Sequence, residues 1–376
     1  MLIPPFCPYK GCRYHTALPI TGKWYHIAGS YTTKVRGTVR RFKCTGCGRT
    51  FSEQTFRLDY YVKRRISYHQ LLTYLCNCGG LRATARILGV SHQAISNRIG
   101  RIARQAMAVQ AELLACFQLQ EPLVTDGFES FVADQYQPNN IHLLTGKRSQ
   151  FLFSYDYAHL RRKGRMSAHQ KAERKRREER YIRPRRTILQ SFRQIVDVVE
   201  QFALRNIDQS IRLYSDEKRE YQVVLKHSEV LQRQVRRGKF THVTVSSQLP
   251  RTVHNPLFAV NYYDRELRKD NADQVRETVR FSRSVNNALE RMAMYQLYHN
   301  FFKPYRVAHK ELKRLTHAEV AGFSKKRIED ALEGIFSRRR FLTHVRLSWS
   351  QLLVWMRLVG NLDRFDGGYW QKYVWM

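Results

Sequence analysis

Two short cysteine pairs near the start of the chain set the firmest limit on how it can fold. Cys7-Pro-Tyr-Lys-Gly-Cys12 and Cys44-Thr-Gly-Cys47 each enclose a tight, glycine-containing turn, and two such turns can deliver four thiolates to one tetrahedral Zn2+. The stretch between them, Trp24 to Val39, alternates well enough for two strands. Residues 1–60 are therefore expected to form a zinc ribbon with Cys7, Cys12, Cys44 and Cys47 as ligands, His15 being an alternative to Cys12. A metal that holds a segment too small for its own core is structural. Cys76, Cys78 and Cys116 read as plain thiols packed like small hydrophobes. Seven cysteines, an odd number weighted toward one end, fit a reducing compartment better than a disulfide framework.

Charge narrows the partner. Lys and Arg total 66 against 31 acids, a net +35, and such an excess favours a polyanion because each neutralised phosphate releases condensed counterions. A merely disordered basic protein is excluded by the 43% hydrophobic and 12% aromatic content, which can build cores. At 376 residues, two or three domains are expected. The start of the chain has neither a charged leader nor a long apolar run, and the most apolar stretch, Trp349 to Val359, is short and contains Arg357. The expectation is a cytoplasmic, nucleoid-associated protein with no membrane span.

From Ile66 the period becomes helical, with Leu71, Leu72 and Leu75 on one face. The string Leu81-Arg-Ala-Thr-Ala-Arg-Ile-Leu-Gly-Val-Ser91 then supplies a small-residue helix, a glycine for the turn, an apolar valine and an N-cap serine. These are the parts of a helix-turn-helix, expected within 61–117. Its second helix, opening at Ser91, would present His92, Gln93, Ser96, Asn97 and Arg101 to base edges, with Arg82, Arg86 and Arg104 nearer phosphates. Gln105 to Phe117 reads as an Ala-rich linker or dimerisation helix.

Two later stretches end an apolar strand on an acid: Leu123-Val-Thr-Asp126 and Ile211-Arg-Leu-Tyr-Ser-Asp216. One such Asp alone is usually a turn or N-cap residue, but two facing one cleft make a site for hard divalent cations. The flanking pattern supports the pairing. Asn140–Leu144 and Gln150–Tyr155 read as strands joined by a turn, Ile188–Phe202 as a helix, Phe240–Val245 as a strand, and Val285–Phe302 as a helix. Between the last two, a helix starting near Asn255 is expected to run through Arg276, Thr278 and Phe281. Arg161 to Arg186 is densely basic, balanced between a solvated loop and a helix that orders on DNA. Three strands, helix, strand, helix, with acids on the first and fourth strands, is the ribonuclease-H-like plan. The fold expected is thus α+β and multidomain: zinc ribbon, 1–60; helix-turn-helix and linker, 61–117; ribonuclease-H-like domain, 118–310, with a basic insertion at 161–186; and a helical C-terminal region, 311–376. In that last region Trp349, Trp355, Trp370 and Trp375 offer either a contact surface or amphipathic core.

With those residues laid out, the chain resembles the transposases of the shortest bacterial insertion sequences, members of the DDE superfamily. The likeness rests on the ribbon cysteines, on Arg82-Ala-Thr-Ala-Arg-Ile-Leu-Gly-Val90, and on Arg268, Arg276, Thr278, Phe281-Ser-Arg-Ser284 and Tyr298-His-Asn-Phe301. It implies that Asp126 and Asp216 are the first two catalytic acids, holding Mg2+ or Mn2+ for DNA strand cleavage and transfer, with structural Zn2+ in the ribbon. It also implies double-stranded DNA, both element ends and target, as partner and a homodimer or larger synaptic assembly as the working form. The third acid departs from the family pattern, in which a Glu precedes the matched Arg by seven residues; Asn261 stands there. Asp264, one helical turn on, can supply the missing carboxylate beside Asn261. The other readings are loss of the acid, which would leave a transposase-derived DNA-binding regulator, and Glu290 from the next helix; Glu266 points elsewhere on the helical wheel.

Overall fold

The computed structural model describes residues 3–16, 22–180, 187–206, 209–275, 278–306, 308, 311 and 314–359. Within them two separate sheets are joined and flanked by helices, a mixed α+β architecture. The smaller sheet follows a short helix, α1 (Arg13–Thr16), and orders three antiparallel strands as β1 (Tyr25–Thr33), β2 (Gly37–Cys44) and β3 (Thr50–Ser52). Aromatic rings fill the space beneath it. Trp24 stacks on Phe51 at 5.7 Å, and Phe6 meets Phe341, from the far end of the chain, at 5.0 Å. The small cluster is therefore closed by a residue 335 positions from Phe6, which supplies apolar burial that so short a segment lacks.

Three helices follow: α2 (Tyr68–Leu75), α3 (Leu81–Ile87) and α4 (His92–Ala115). Ser67 and Ser91 cap α2 and α4 by accepting the N–H groups of Gln70 and Ala94, each at 3.2 Å. The α3–α4 turn needs a left-handed residue, and Gly89 supplies it at φ +62°.

The larger sheet contains β4 (Leu123–Phe131), β5 (Pro138–Gly146), β6 (Leu152–His159), β7 (Ile211–Ser215) and β8 (Phe240–Thr244), in spatial order β6-β5-β4-β7-β8. The first three form an antiparallel meander; β7 lies parallel to β4, and β8 parallel to β7. Helices α5 (Ala168–Arg180) and α6 (Thr187–Arg205) precede β7, and α7 (Arg219–Lys226) and α8 (Glu229–Arg236) separate β7 from β8. After the sheet come α9 (Phe258–Asp270), α10 (Val285–Phe301), α11 (His317–Ala321), α12 (Lys325–Leu332) and α13 (Trp349–Met356). Among the described residues no helix is long and apolar enough to cross a membrane.

Several expectations are corrected. Gln105 to Ala115 continues the helix that starts at His92, but its buried positions, up to Gln110 and again at Leu113, pack in the main core against α10 instead of facing a linker or dimer contact. Its two glutamines are committed inside. Gln105 donates to the carbonyls of Ile335 (3.0 Å) and Arg338 (2.7 Å), and Gln110 to those of Leu152 and Phe153, both at 3.1 Å. The main apolar core draws buried residues from Leu58 to Trp355.

β4 does not stop at Asp126. It stays paired with β5 as far as Phe131 opposite Pro138. The helix expected to reach Phe281 ends at Asp270, where Asn271 turns to extended backbone at φ −109° and ψ 115°. Among the described residues beyond it the Thr278 hydroxyl donates to the Ala272 carbonyl at 2.8 Å and Ser282 to Asp273 at 2.7 Å, while Arg276 lies outside the described residues. The basic run forms a helix over Ala168–Arg180, braced by Glu173 with Arg176 and Arg177 and by Glu178 with Arg161; residues 161–167 before it are not helical, and 181–186 lie outside the described residues.

Candidate active site

The parallel pairing of β4 with β7 sets Leu123 opposite Leu213 and Val124 opposite Tyr214. Two residues further on, Asp126 and Asp216 stand level at the point where β7 ends and β4 continues. The ammonium of Lys218 lies between them, 4.0 Å from Asp126 Oδ1 and 3.7 Å from Asp216 Oδ2. Asp126 Oδ1 also accepts the Gly127 N–H at 2.7 Å, and Asp216 Oδ1 accepts the Lys218 N–H at 3.2 Å. A Cβ at 127 would fall 2.2 Å from the Asn140 side-chain amide, so glycine is what lets that amide lie against the strand.

The third carboxylate comes from α9. Phe128 is two residues beyond Asp126, hence on the same sheet face, and the Arg268 guanidinium of α9 covers its ring at 4.6 Å. That packing lays α9 over the acids and brings in Asp264. Its Oδ1 is buried with no hydrogen-bond partner among the described residues. Burial first, and then the Asp126 carboxylate, push the Asp264 carboxyl up to about 8. Burial and then Asp216 likewise raise the Asp126 carboxyl, an effect partly opposed by Lys218. Asp126 and Asp216 thus flank Lys218, and the charge of Asp126 reaches Asp264, whereas among the described residues the one group of three or more candidate ligands whose donor atoms converge within 4.8 Å is that of the four cysteines described below. Asn261 sits one turn before Asp264 on α9 and is half-buried.

The other two acids considered are engaged elsewhere. Glu290 is buried in an ion pair with Arg357, whose guanidinium also bonds Asn287. Glu266 pairs with Lys303 and Lys269. Neither is available to this cluster.

Sequence reasoning missed the residues that surround the acids. Lys218 could have been found from its place two positions after a strand-end acid. Tyr221 carried no such signal: it is fully buried, its hydroxyl has no partner among the described residues, and the charges of Asp126 and Asp216 add to burial in disfavouring its ionisation. On the opposite sheet face His142, level with Gly127, shares a 2.8 Å hydrogen bond with Ser191 of α6, and burial lowers its imidazole to about 3.

A second centre lies at the small sheet. The sulfurs of Cys7, Cys12, Cys44 and Cys47 fall within 4.8 Å of one another, with Cys7 to Cys47 at 3.7 Å and Cys12 to Cys44 at 3.6 Å. Four convergent thiols fit a structural metal such as Zn2+. His15 is not an alternative ligand, because Nδ1 bonds the Cys7 carbonyl at 2.7 Å and Nε2 the Thr343 hydroxyl at 2.9 Å. Of the remaining thiols Cys76 is buried, whereas Cys78 and Cys116 are exposed rather than packed.

A third surface is the start of α4. Ser91, His92 and Gln93 are exposed there, Ser96 and Asn97 half-exposed, and Gln93 donates to Asn97 at 3.1 Å. Arg82 and Arg86 of α3 are exposed beside them. Two arginines differ from expectation. Arg101 donates to the Leu58 carbonyl at 2.8 Å and lies 3.8 Å over the Tyr60 ring, so it is turned into the fold. Arg104 is buried at 9% exposure, since the helix has by then entered the core. Trp349 is exposed and Trp355 buried, while Trp370 and Trp375 lie outside the described residues.

Neither the comparison with protein-family models nor that with curated proteins gives a match for the chain.

Proposed function

We propose that the chain is a DNA transposase of the DDE type, which binds the ends of an insertion sequence and carries out metal-dependent strand cleavage and strand transfer. The observation that carries this reading is the placing of Asp126 and Asp216 on either side of Lys218 at the seam between two parallel strands, with Asp264 of α9 in the field of Asp126. The strand order, with the two acid-bearing strands adjacent at the centre, supports a ribonuclease-H-like domain. The caps of α2 and α4 and the Gly89 turn support a helix-turn-helix, and the four thiols a zinc ribbon.

In this reading Asp126, Asp216 and Asp264 hold the metal, and Asn261 offers a neutral oxygen from the next turn of α9. Bound Mg2+ or Mn2+ supplies the positive charge that activates an attacking water or 3′-hydroxyl and stabilises the leaving oxygen. His92, Gln93, Ser96 and Asn97 face base edges of the terminal repeats, while Arg82 and Arg86 meet phosphates. The basic helix α5 follows flanking or target DNA by its backbone. Joining two ends requires two protomers, hence a homodimer or larger assembly.

The test is strand transfer by the full chain on duplexes carrying the element ends, with Mg2+ or Mn2+. Activity lost in Asp126→Ala and Asp216→Ala supports the enzyme. Tight end binding by a wild-type protein that neither cuts nor joins supports the second reading, a transposase-derived DNA-binding regulator. Asn261, standing where the family it resembles has a Glu, favours that alternative.

A further inference from the structure

Asp126 and Asp216 are drawn together by strand registry, yet no divalent ion is needed to explain how the pair is tolerated. Lys218 contributes both ends of itself to the same place. Its backbone N–H bonds Asp216 Oδ1 at 3.2 Å, which fixes the carboxylate at the start of α7, and its side chain returns over the Tyr221 ring at 5.4 Å. The ammonium then sits 3.7 Å from Asp216 Oδ2 and 4.0 Å from Asp126 Oδ1, between the two carboxylates that a bridging cation would occupy. Both separations exceed a close charged hydrogen bond, and the side chain keeps 32% of its exposure. A four-carbon stem in that state can swing out without breaking packed contacts. The other cations near the acids are held differently. Arg268 is engaged with the Glu129 carbonyl at 3.2 Å and the Phe128 ring, and Arg251 lies exposed at the rim.

We propose that Lys218 is a tethered counter-ion for the acid pair, which occupies the cation position while the site is empty and must leave it for a divalent ion to enter. This rests on the metal-site reading given above and adds to it a residue that sets how readily the site loads. Lysine suits the role as a point charge on a flexible stem; arginine would keep the charge but hold it in a planar fork. Removing the ammonium leaves two carboxylates facing each other when the site is empty, and removes a competitor when an ion is offered.

The experiment uses the full chain in buffer freed of Mg2+ and Mn2+, with the thiol-bound metal left in place. Lys218→Gln should lower the melting midpoint by roughly 2–4 °C. In an Asp216→Asn background the same substitution should have little effect, and Lys218→Arg should melt close to wild type. Titrated with Mn2+ and read by the resonance of the free ion, Lys218→Gln should bind roughly tenfold tighter than wild type, the effect of one opposing unit charge in a partly exposed site. Asp126→Asn with Asp216→Asn should abolish that uptake. Lys218→Gln melting like wild type without metal overturns the inference, and so does equal Mn2+ affinity in the two proteins. Mn2+ uptake by neither protein overturns it together with the proposed metal site, whereas equal uptake by both leaves the metal site standing.

Discussion

Leu123 of β4 lies directly opposite Leu213 of β7, and this single parallel registry sets the level at which two acids meet. A slip of one residue would turn Asp126 to the other face of the sheet. Both leucines are fully buried, so the registry is held by apolar packing that the acids do not provide. Buried hydrophobes thus maintain an arrangement that electrostatics alone would disperse.

The acid cluster should cost stability while empty. Asp264→Asn removes a carboxyl that burial and Asp126 disfavour, and should raise the free energy of unfolding in metal-free buffer by roughly 1–3 kcal/mol, the range for a buried polar group without a partner. The same variant should lose stabilisation by Mn2+. Chemical denaturation with and without the ion measures both; a metal-free loss of stability would contradict the assigned environment.

With Zn2+ loaded on the four thiols, stripping it should unfold the region around the small sheet while the larger one survives. Phe6, Trp24, Phe42, Phe51 and Phe56 pack against the cysteines, so near-ultraviolet dichroism should fall and Trp24 emission shift toward the red. Burial pushes the Cys7 and Cys12 thiols above their ordinary range, so reloading should release protons and weaken as pH falls. Cys44→Ser should reproduce the stripped spectrum.

Asp156 predicts a pH dependence far from the acid cluster. It lies on β6 in a cavity of about 470 Å³ bounded by α6, α10 and α13, beside the hydroxyls of Ser191 and Ser350 and within the field of Asp197. Burial raises its carboxyl to about 7 from 3.8 in the unfolded chain. The folded state therefore binds the extra proton between those values, and this group's stabilising contribution is present at acid pH and lost as pH rises from about 4 to about 7. Asp156→Asn should flatten that part of the profile, measured by urea midpoints across the range.

Two arginines 15 positions apart, Arg86 and Arg101, should separate binding from folding. Arg86→Ala should weaken duplex binding and reduce the salt slope by about one. Arg101→Ala should instead lower the melting midpoint, by removing the bond to the Leu58 carbonyl and the Tyr60 stack, with the salt slope kept. Fluorescence anisotropy at several salt concentrations, beside thermal melts, distinguishes the two.

Legibility followed the strength of local signals. The cysteine spacing, the Ser91 cap and the alternation leading to Asp216 are short-range patterns, and each produced the local structure it implied. Gly127 after Asp126 resembles a turn in sequence, yet its smallness serves the approach of Asn140 within an unbroken strand. The Ala-rich stretch after Arg104 gives the same helical signal whether it links domains or fills a core; only the distant partners Leu152, Phe153, Ile335 and Arg338 determine which. The neutralisation of Glu290 by Arg357 joins residues 67 positions apart, and no local pattern announces it.

Because α4 passes without interruption from an exposed start into a buried stretch reaching Gln110, its 24 residues form a rod of about 36 Å. Whatever grips the outer end takes hold of the interior too, with no hinge to absorb a twist. Adding one residue midway would swivel the outer tip by about 100° relative to the anchored part, so the phase between grip and anchorage is built into helix length.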